Sequence, residues 1–132
     1  IGMFLPSLFT GDLIKYFGHK KIIYAGVLIM FSTITTHFIF ESDYGYMIGL
    51  ILLGIGWNFL FVSGTSLLVV SYNKEDKFLA QGLNDFVVFS SQSIGALSAG
   101  ILLFSTSWKT LNLICLPLLI LLLLFSILNK KN

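Results

Sequence analysis

The sequence predicts an all-α protein, a polytopic bundle of transmembrane helices. Of its 132 residues, 56% are hydrophobic and 11% are charged, whereas about a quarter of the residues in a soluble domain carry charge. The apolar residues form long segments separated by short polar loops, and most of these segments approach the roughly 20 residues that cross a bilayer. Lipid is therefore the solvent that this composition favours, and a soluble fold is excluded.

Five apolar segments define the predicted elements. The helices are predicted over residues 1–14, 22–40, 46–71, 78–104 and 111–128. The first segment is too short to span a bilayer, so we interpret it as the end of a helix that begins before residue 1. We accordingly expect residues 1–132 to be a fragment, part of the transmembrane domain of a longer protein.

The loops between these segments differ in chemistry. A polar loop at 15–21 follows the first segment, and an acidic turn at 41–45 follows the second. A charged loop at 73–77 follows the third, and a turn rich in serine and threonine at 105–109 follows the fourth. The fifth segment is almost entirely leucine and isoleucine, so we expect it to face lipid over most of its surface.

The lysines predict the orientation of the chain in the membrane. All eight basic residues are lysines. Because successive loops lie on opposite sides of the membrane, Lys109 falls alone on one side. The seven on the other side are Lys15, Lys20, Lys21, Lys74, Lys77, Lys130 and Lys131. Cytoplasmic loops carry the excess of positive charge. We therefore expect a multi-pass protein of the cell (inner) membrane with a cytoplasmic C-terminus.

The third predicted helix carries polar residues at depth. Gly54, Asn58 and Thr65 share one face by their spacing, and Asn58 lies roughly 18 Å into the segment, close to the midplane. Two interpretations of Asn58 stay open: a hydrogen bond between helices, worth about 0.6–2 kcal/mol, or a contact to substrate in a central cavity. We name Asn58 and Thr65 as candidate substrate-binding residues.

The fourth predicted helix is also polar. Its polar residues are Gln81, Asn84, Asp85, Ser91, Gln92 and Ser98. Ser91, Gly95 and Ala99 form a face of small residues suited to close helix packing. This richness marks the helix as packed or cavity-lining, and Gln92 is the third candidate substrate-binding residue.

Asp85 is an acid inside a predicted span, roughly 10 Å from its cytoplasmic end. A carboxylate there is costly unless it is paired or protonated. Three interpretations stay open: a proton-coupling group, a gating contact at the cytoplasmic mouth, or an acid favoured by the helix dipole and wetted by headgroup water. We name Asn84 and Asp85 as candidate proton-coupling or gating residues.

Several other chemistries find no support in the sequence. His19 and His37 have no second histidine, cysteine or carboxylate at ligand spacing, so no metal site and no cofactor is expected. The lone Cys115 lies in an apolar run and is interpreted as a small structural hydrophobe. The lysines form no basic stripe, so no nucleic-acid partner is expected. No nucleophile–base arrangement appears, and we do not expect an enzyme.

Residues 11–21 resemble the cytoplasmic loop motif of the major facilitator superfamily, which reads roughly Gly-x-Leu-x-Asp-Arg-x-Gly-Arg-Lys. The residues that carry the resemblance are Gly11, Leu13, Gly18 and Lys20, with His19 as a variant. Lys15 stands where the family has its acid, and Tyr16 where it often has arginine. These departures are similar to the weaker copy of the motif, between helices 8 and 9.

Two further stretches, at 53–62 and 81–86, are similar to segments of bacterial permeases of this superfamily. The resemblance implies that the chain runs from the end of helix 8 to helix 12, within the C-terminal six-helix half of a carrier. It also implies that the third predicted helix lines the cavity and that the fifth lies outside. The start of the fourth would face the loop motif of the N-terminal half, which implies a latch at Asn84 and Asp85.

Two functions therefore stay open. The first is part of a secondary active transporter that moves a small solute by alternating access, with proton coupling as a further expectation. Its partners would be the bilayer, the missing N-terminal half and a small-molecule substrate. The alternative is a non-transporting membrane scaffold or accessory subunit that binds a partner through its packed helices.

Overall fold

A computed structural model describes residues 2–40 and 42–128 of the chain. Its α-helices follow in this order: α1 (Phe4–Phe17), α2 (His19–Ile39), α3 (Asp43–Val69), α4 (Lys77–Ser105) and α5 (Trp108–Leu128). A single 3₁₀ turn, Lys74–Asp76, precedes α4. The described residues contain no β-strand.

Helices α2 to α5 are each long and apolar enough to cross a membrane. Helix α1 has 14 residues, which is fewer than the roughly 20 that a span requires. The all-α transmembrane architecture predicted from the composition is thus confirmed.

The α1–α2 junction is shorter than the predicted polar loop at 15–21. Helix α1 continues to Phe17 and α2 begins at His19, which leaves Gly18 alone between them. Gly18 has a φ of +82°, a conformation that costs glycine little because it has no Cβ. Its N–H donates to the Ile14 carbonyl at 2.8 Å. One glycine is therefore enough to break the helix, and the polar residues around it stay helical.

The α2–α3 turn is equally tight. The Ser42 hydroxyl oxygen accepts a hydrogen bond from the Gly45 N–H at 3.2 Å, which caps the start of α3. A Cβ on Gly45 would lie 2.6 Å from Cβ of Phe40, so only glycine fits beneath the turn. Glu41, a member of the predicted acidic turn, lies outside the described residues.

The core lies mainly between α2 and α3. Gly26 and Gly56 face each other, because a Cβ on either would come within 3.2 Å of the other's carbonyl oxygen. Small residues let two helix backbones approach closely where lipid provides no hydrophobic drive. The buried apolar side chains of α2 are Ile22, Val27, Met30 and Ile34.

The remaining helices are arranged around this pair. Helix α1 packs on α3, and α5 packs on α2. Helix α4 has no buried residue, and a Cβ on Gly95 would meet nothing within 4 Å. The predicted small-residue face of α4 is therefore uncovered within the described part of the chain.

Candidate functional site

The middles of α3 and α4 each carry polar residues, Asn58 in α3 and Ser91 and Gln92 in α4. Helix α3 covers 27 residues from Asp43 and α4 covers 29 from Lys77, so their central residues are Gly56 and Ser91. Trp57 and Gln92 each follow a central residue directly. In two helices that cross a membrane, these side chains lie near the bilayer midplane.

Trp57 and Gln92 line a common hollow of about 330 Å³, together with Met3, Leu53 and Gly54. The start of α1, the middle of α3 and the middle of α4 each contribute to its wall. A Cβ on Gly54 would lie 2.9 Å from the backbone carbon of Gly2. The bare face of Gly54 therefore lets the start of α1 close one side of the hollow.

Gln92 is exposed, and its carboxamide makes no hydrogen bond to any other described residue. An unsatisfied polar group in hydrocarbon costs several kcal/mol, on the order of 2–7. Such a group persists in a membrane only where it faces water, another part of the protein or a ligand. Gln92, predicted from sequence as a substrate-binding residue, therefore marks the hollow as a functional candidate.

Trp57 contributes the largest flat surface in the hollow. Its indole stacks on the Phe61 ring, with centroids 6.3 Å apart and planes inclined by 13°. Both side chains are partly exposed. Sequence reasoning did not single out this pair, although four-residue spacing of two aromatics on one helix is a signal that could have found it.

Asn58 does not line the hollow, and its side chain contacts the segment that contains α1. Its side chain is 2% exposed, and its Nδ2 donates to the Met3 carbonyl oxygen at 3.1 Å. The Thr10 hydroxyl lies 2.6 Å from Asn58 Oδ1 and 2.7 Å from the Pro6 carbonyl oxygen, and its one proton is donated to either acceptor. This geometry favours a hydrogen bond between helices over a contact to substrate. No sequence pattern had pointed to Thr10 as the partner.

Thr65 is not brought to the hollow. It is partly exposed on α3, seven residues beyond Asn58, or roughly 10 Å along the helix axis. Of the three candidate substrate-binding residues, only Gln92 therefore lies in the hollow.

The candidate gating pair lies on α4. The Asn84 Nδ2 donates to the Asp85 Oδ1 at 3.3 Å, at an exposed position. Asp85 precedes Gln92 by seven residues, so the two share one face of the helix, roughly 10 Å apart along its axis. One continuous surface of α4 thus carries both the acid and the carboxamide.

The residues of the loop motif surround the α1–α2 junction. Gly11 and Leu13 lie within α1, whereas His19 and Lys20 form the first turn of α2. The His19 Nε2 lies 3.0 Å from the Ser66 Oγ, which links the start of α2 to the end of α3. These residues are at the same end of the bundle as the start of α4.

A second polar cluster lies at the opposite end, between α2, α3 and α5. His37 is 4% exposed; its Nδ1 lies 3.4 Å from Asn112 Oδ1, and its ring contacts those of Tyr46 and Trp108 at centroid distances of 5.7 and 5.5 Å. The Asn112 Nδ2 donates to the Trp108 carbonyl oxygen at 2.9 Å. His37 Nε2 and Trp108 Nε1 are buried without a partner in the described part of the chain. Sequence reasoning had treated His37 as solitary.

Within residues 2–40 and 42–128, no three histidine, cysteine or acidic side chains come together at metal-binding distance. The hollow is instead lined by the Gln92 carboxamide, the Trp57 indole, Gly54 and two apolar side chains, Met3 and Leu53. The fold is that of a multi-pass membrane protein, and the hollow between α3 and α4 is its candidate site.

The sequence model of the Major Facilitator Superfamily matches residues 1–131. The chain therefore belongs to this superfamily of membrane transporters, and the resemblance based on residues 11–21 is confirmed. No solved structure matches the chain.

Two relatives show how much of a carrier the chain represents. It is 42% identical over 133 residues to the riboflavin transporter RfnT of Brucella anthropi, which covers 99% of this chain and 33% of the relative. It is 34% identical over 114 residues to the uncharacterized MFS-type transporter YdeG of Bacillus subtilis, covering 85% of this chain and 26% of the relative. The chain thus spans about a third or less of these relatives.

Proposed function

We propose that this chain is the C-terminal part of a secondary active transporter that carries a flavin across the cell membrane by alternating access. The observation that carries the proposal is the Gln92 carboxamide, which has no hydrogen-bond partner among the described residues and lines a hollow with Trp57 near the middle of two membrane-length helices. Alternating-access carriers bind their substrates near the bilayer midplane, between helices that line a cavity.

The substrate class rests on similarity. A relative that is 42% identical across nearly the whole chain is named as a riboflavin transporter. Riboflavin combines a planar ring system with a hydroxylated chain, and the hollow offers an aromatic face and a carboxamide. A flavin therefore agrees with the name of the relative and with the chemistry of the residues that line the hollow.

Asp85 is proposed as the proton-coupling or gating residue, with Asn84 as its neighbour. The Asn84 Nδ2 donates to the Asp85 carboxyl oxygen, and the shared face of α4 connects the acid to Gln92 two turns away. A change of protonation at Asp85 would alter the charge along the surface that faces the substrate. Asn58 is proposed to hold α1 against α3, and Thr65 to line the wider cavity beyond the hollow.

The orientation is proposed from charge. With the lysine-rich loops and the C-terminus in the cytoplasm, the α1–α2 junction and Asp85 lie at the cytoplasmic end. The N-terminal half of the carrier would supply the opposite wall of the cavity and cover the exposed face of α4. The accessory-subunit alternative is less well supported, because the named relatives are transporters.

The experiment that tests the proposed function is uptake of radiolabelled riboflavin by a bacterial strain that lacks its own riboflavin transporter. The complete reading frame that contains residues 1–132 is expressed in this strain, beside an empty vector. We expect saturable accumulation that is abolished by a protonophore. Accumulation no higher than that of the empty vector would overturn the flavin proposal, and insensitivity to the protonophore would overturn proton coupling.

A further inference from the structure

The hollow between α3 and α4 carries an aromatic surface whose role the transport proposal does not assign. Resting on the proposed function, we infer that the planar ring of the substrate stacks on the Trp57 indole. Phe61 supports the indole, and Gln92 binds the polar edge of the substrate ring. The ligand class is a planar heteroaromatic solute whose edge offers both a hydrogen-bond donor and an acceptor.

The depth of Trp57 supports this role. Tryptophans that anchor a membrane protein lie at the bilayer interfaces, where the indole N–H reaches water or headgroups. Trp108 lies at the depth of such an interface, because it is the first residue of α5, although its Nε1 is buried. Trp57 instead follows the central residue of α3, where interfacial anchoring offers no explanation for an indole.

The stacking geometry supports it as well. The near-parallel Phe61 ring, inclined by only 13° to the indole, restricts the orientation of Trp57. A flat surface held in one orientation loses little conformational freedom when a ring stacks on it, which favours binding. Stacking on an aromatic side chain tolerates any ring with a π-face, so it supplies affinity and leaves specificity to the polar contact.

Gln92 supplies that polar contact. A carboxamide offers an N–H donor and a C=O acceptor side by side, which complements an edge with adjacent carbonyl and N–H groups. The isoalloxazine ring of a flavin has such an edge on its pyrimidine-like part. Leu53 and Met3 are the apolar members of the wall beside this contact.

The size of the hollow agrees with part of a substrate site. About 330 Å³ lies at the lower end of ligand cavities, which range from about 300 to 1,000 Å³. The hollow therefore accommodates a ring system, and the hydroxylated chain of a flavin would extend towards the remainder of the carrier.

The test uses the complete carrier, with riboflavin uptake measured for Trp57→Leu, Trp57→Phe and a control, Phe104→Leu. Phe104 is an aromatic of α4 that is 97% exposed and lies outside the hollow. Membrane levels of each variant are matched by immunoblot. Competition by lumiflavin, which keeps the ring and lacks the hydroxylated chain, is compared with competition by ribitol, which has only the chain.

We expect Trp57→Leu to raise the KM for riboflavin about tenfold with a smaller change in maximal rate, since stacking contributes that much. Lumiflavin should compete with riboflavin in the wild type and lose this competition in Trp57→Leu, whereas Trp57→Phe and Phe104→Leu stay near the wild type. An unchanged KM in Trp57→Leu, or competition by ribitol alone, would overturn the stacking of the substrate ring on Trp57 without contradicting the proposed transport. Absence of saturable riboflavin uptake by the wild type would instead overturn both the proposed function and the stacking on Trp57.

Discussion

The Asn58 carboxamide oxygen lies 2.6 Å from the Thr10 hydroxyl, across the interface of α3 and α1. The two residues are 2% and 0% exposed, so water cannot replace either partner. Asn58 also donates to the Met3 carbonyl oxygen, which fixes the start of α1 beside the hollow. The amide thus holds the start of α1 at the wall of the proposed site and does not itself line the hollow.

The first prediction concerns this hydrogen bond. We expect Asn58→Ala and Thr10→Val each to destabilise the carrier by about 0.6–2 kcal/mol. The loss of stability in the double variant should be smaller than the sum of the two single losses, because each substitution removes the same contact. The measurement is thermal unfolding in detergent. Thr35→Val is the matched control, since among the described residues the exposed Thr35 hydroxyl bonds only to the Phe31 carbonyl of its own helix. Fully additive losses would show that the two residues are not coupled.

The second prediction concerns Gly49, which leaves space for the His37 ring. A Cβ on Gly49 would lie 2.8 Å from His37 Cδ2, and the ring is buried among Tyr46 and Trp108. We expect Gly49→Ala to destabilise the carrier by about 1–3 kcal/mol, as overpacking does. Gly64→Ala, on the same helix with open space around it, should cause no loss. Equal melting temperatures for these two variants would contradict the packing of His37 against α3.

The third prediction concerns Gln92. Gln92→Leu should raise the KM for riboflavin about tenfold or more, because leucine cannot form the hydrogen bonds that the carboxamide offers to the polar edge of the substrate. Gln92→Asn, which keeps the carboxamide on a shorter stem, should retain part of the affinity. Ser98→Ala is the control, since Ser98 is an exposed polar residue of α4 outside the hollow. If Gln92→Leu and Ser98→Ala behave alike, Gln92 does not contact the substrate.

The fourth prediction concerns Asp85. A neutral carboxamide at this position mimics a permanently protonated carboxyl, so we expect Asp85→Asn to lower uptake or to shift its pH dependence between about pH 5 and 8. Asp12→Asn is the control: Asp12 forms an exposed ion pair with Lys15 at 3.1 Å, and such pairs contribute little. If uptake by Asp85→Asn matches that of the wild type at every pH, Asp85 takes part in neither proton coupling nor gating.

The sequence was sufficient for the fold class and for the superfamily. Hydrophobic segments separated by polar loops mark membrane helices directly, since each helix satisfies its own backbone hydrogen bonds in lipid. Residues 11–21 carried the family resemblance even though they form no loop. The one-residue break at Gly18 could not be predicted, because the positive φ of a single glycine leaves no mark in hydropathy.

The candidate site was predictable only in part. Gln92 could be singled out because a carboxamide at mid-membrane depth is unusual in itself. Asn58 has the same chemistry at the same depth, yet its role depends on Thr10, which lies on another helix 48 positions away in the sequence. His37 is similar, since its neighbour Asn112 lies on α5. Contacts between helices decide these roles, and periodicity within one helix does not contain them.

The central claim, a substrate site at mid-membrane depth between α3 and α4, is tested most directly by protection of a single cysteine. Leu53→Cys is introduced into the complete carrier with its other cysteines replaced, beside Leu67→Cys as the matched control. Both leucines are on α3 and both are 41% exposed, but only Leu53 lines the hollow. We predict that saturating riboflavin slows the reaction of Leu53→Cys with a methanethiosulfonate reagent and leaves the rate at Leu67→Cys unchanged. Equal rates at Leu53→Cys with and without riboflavin would contradict the site.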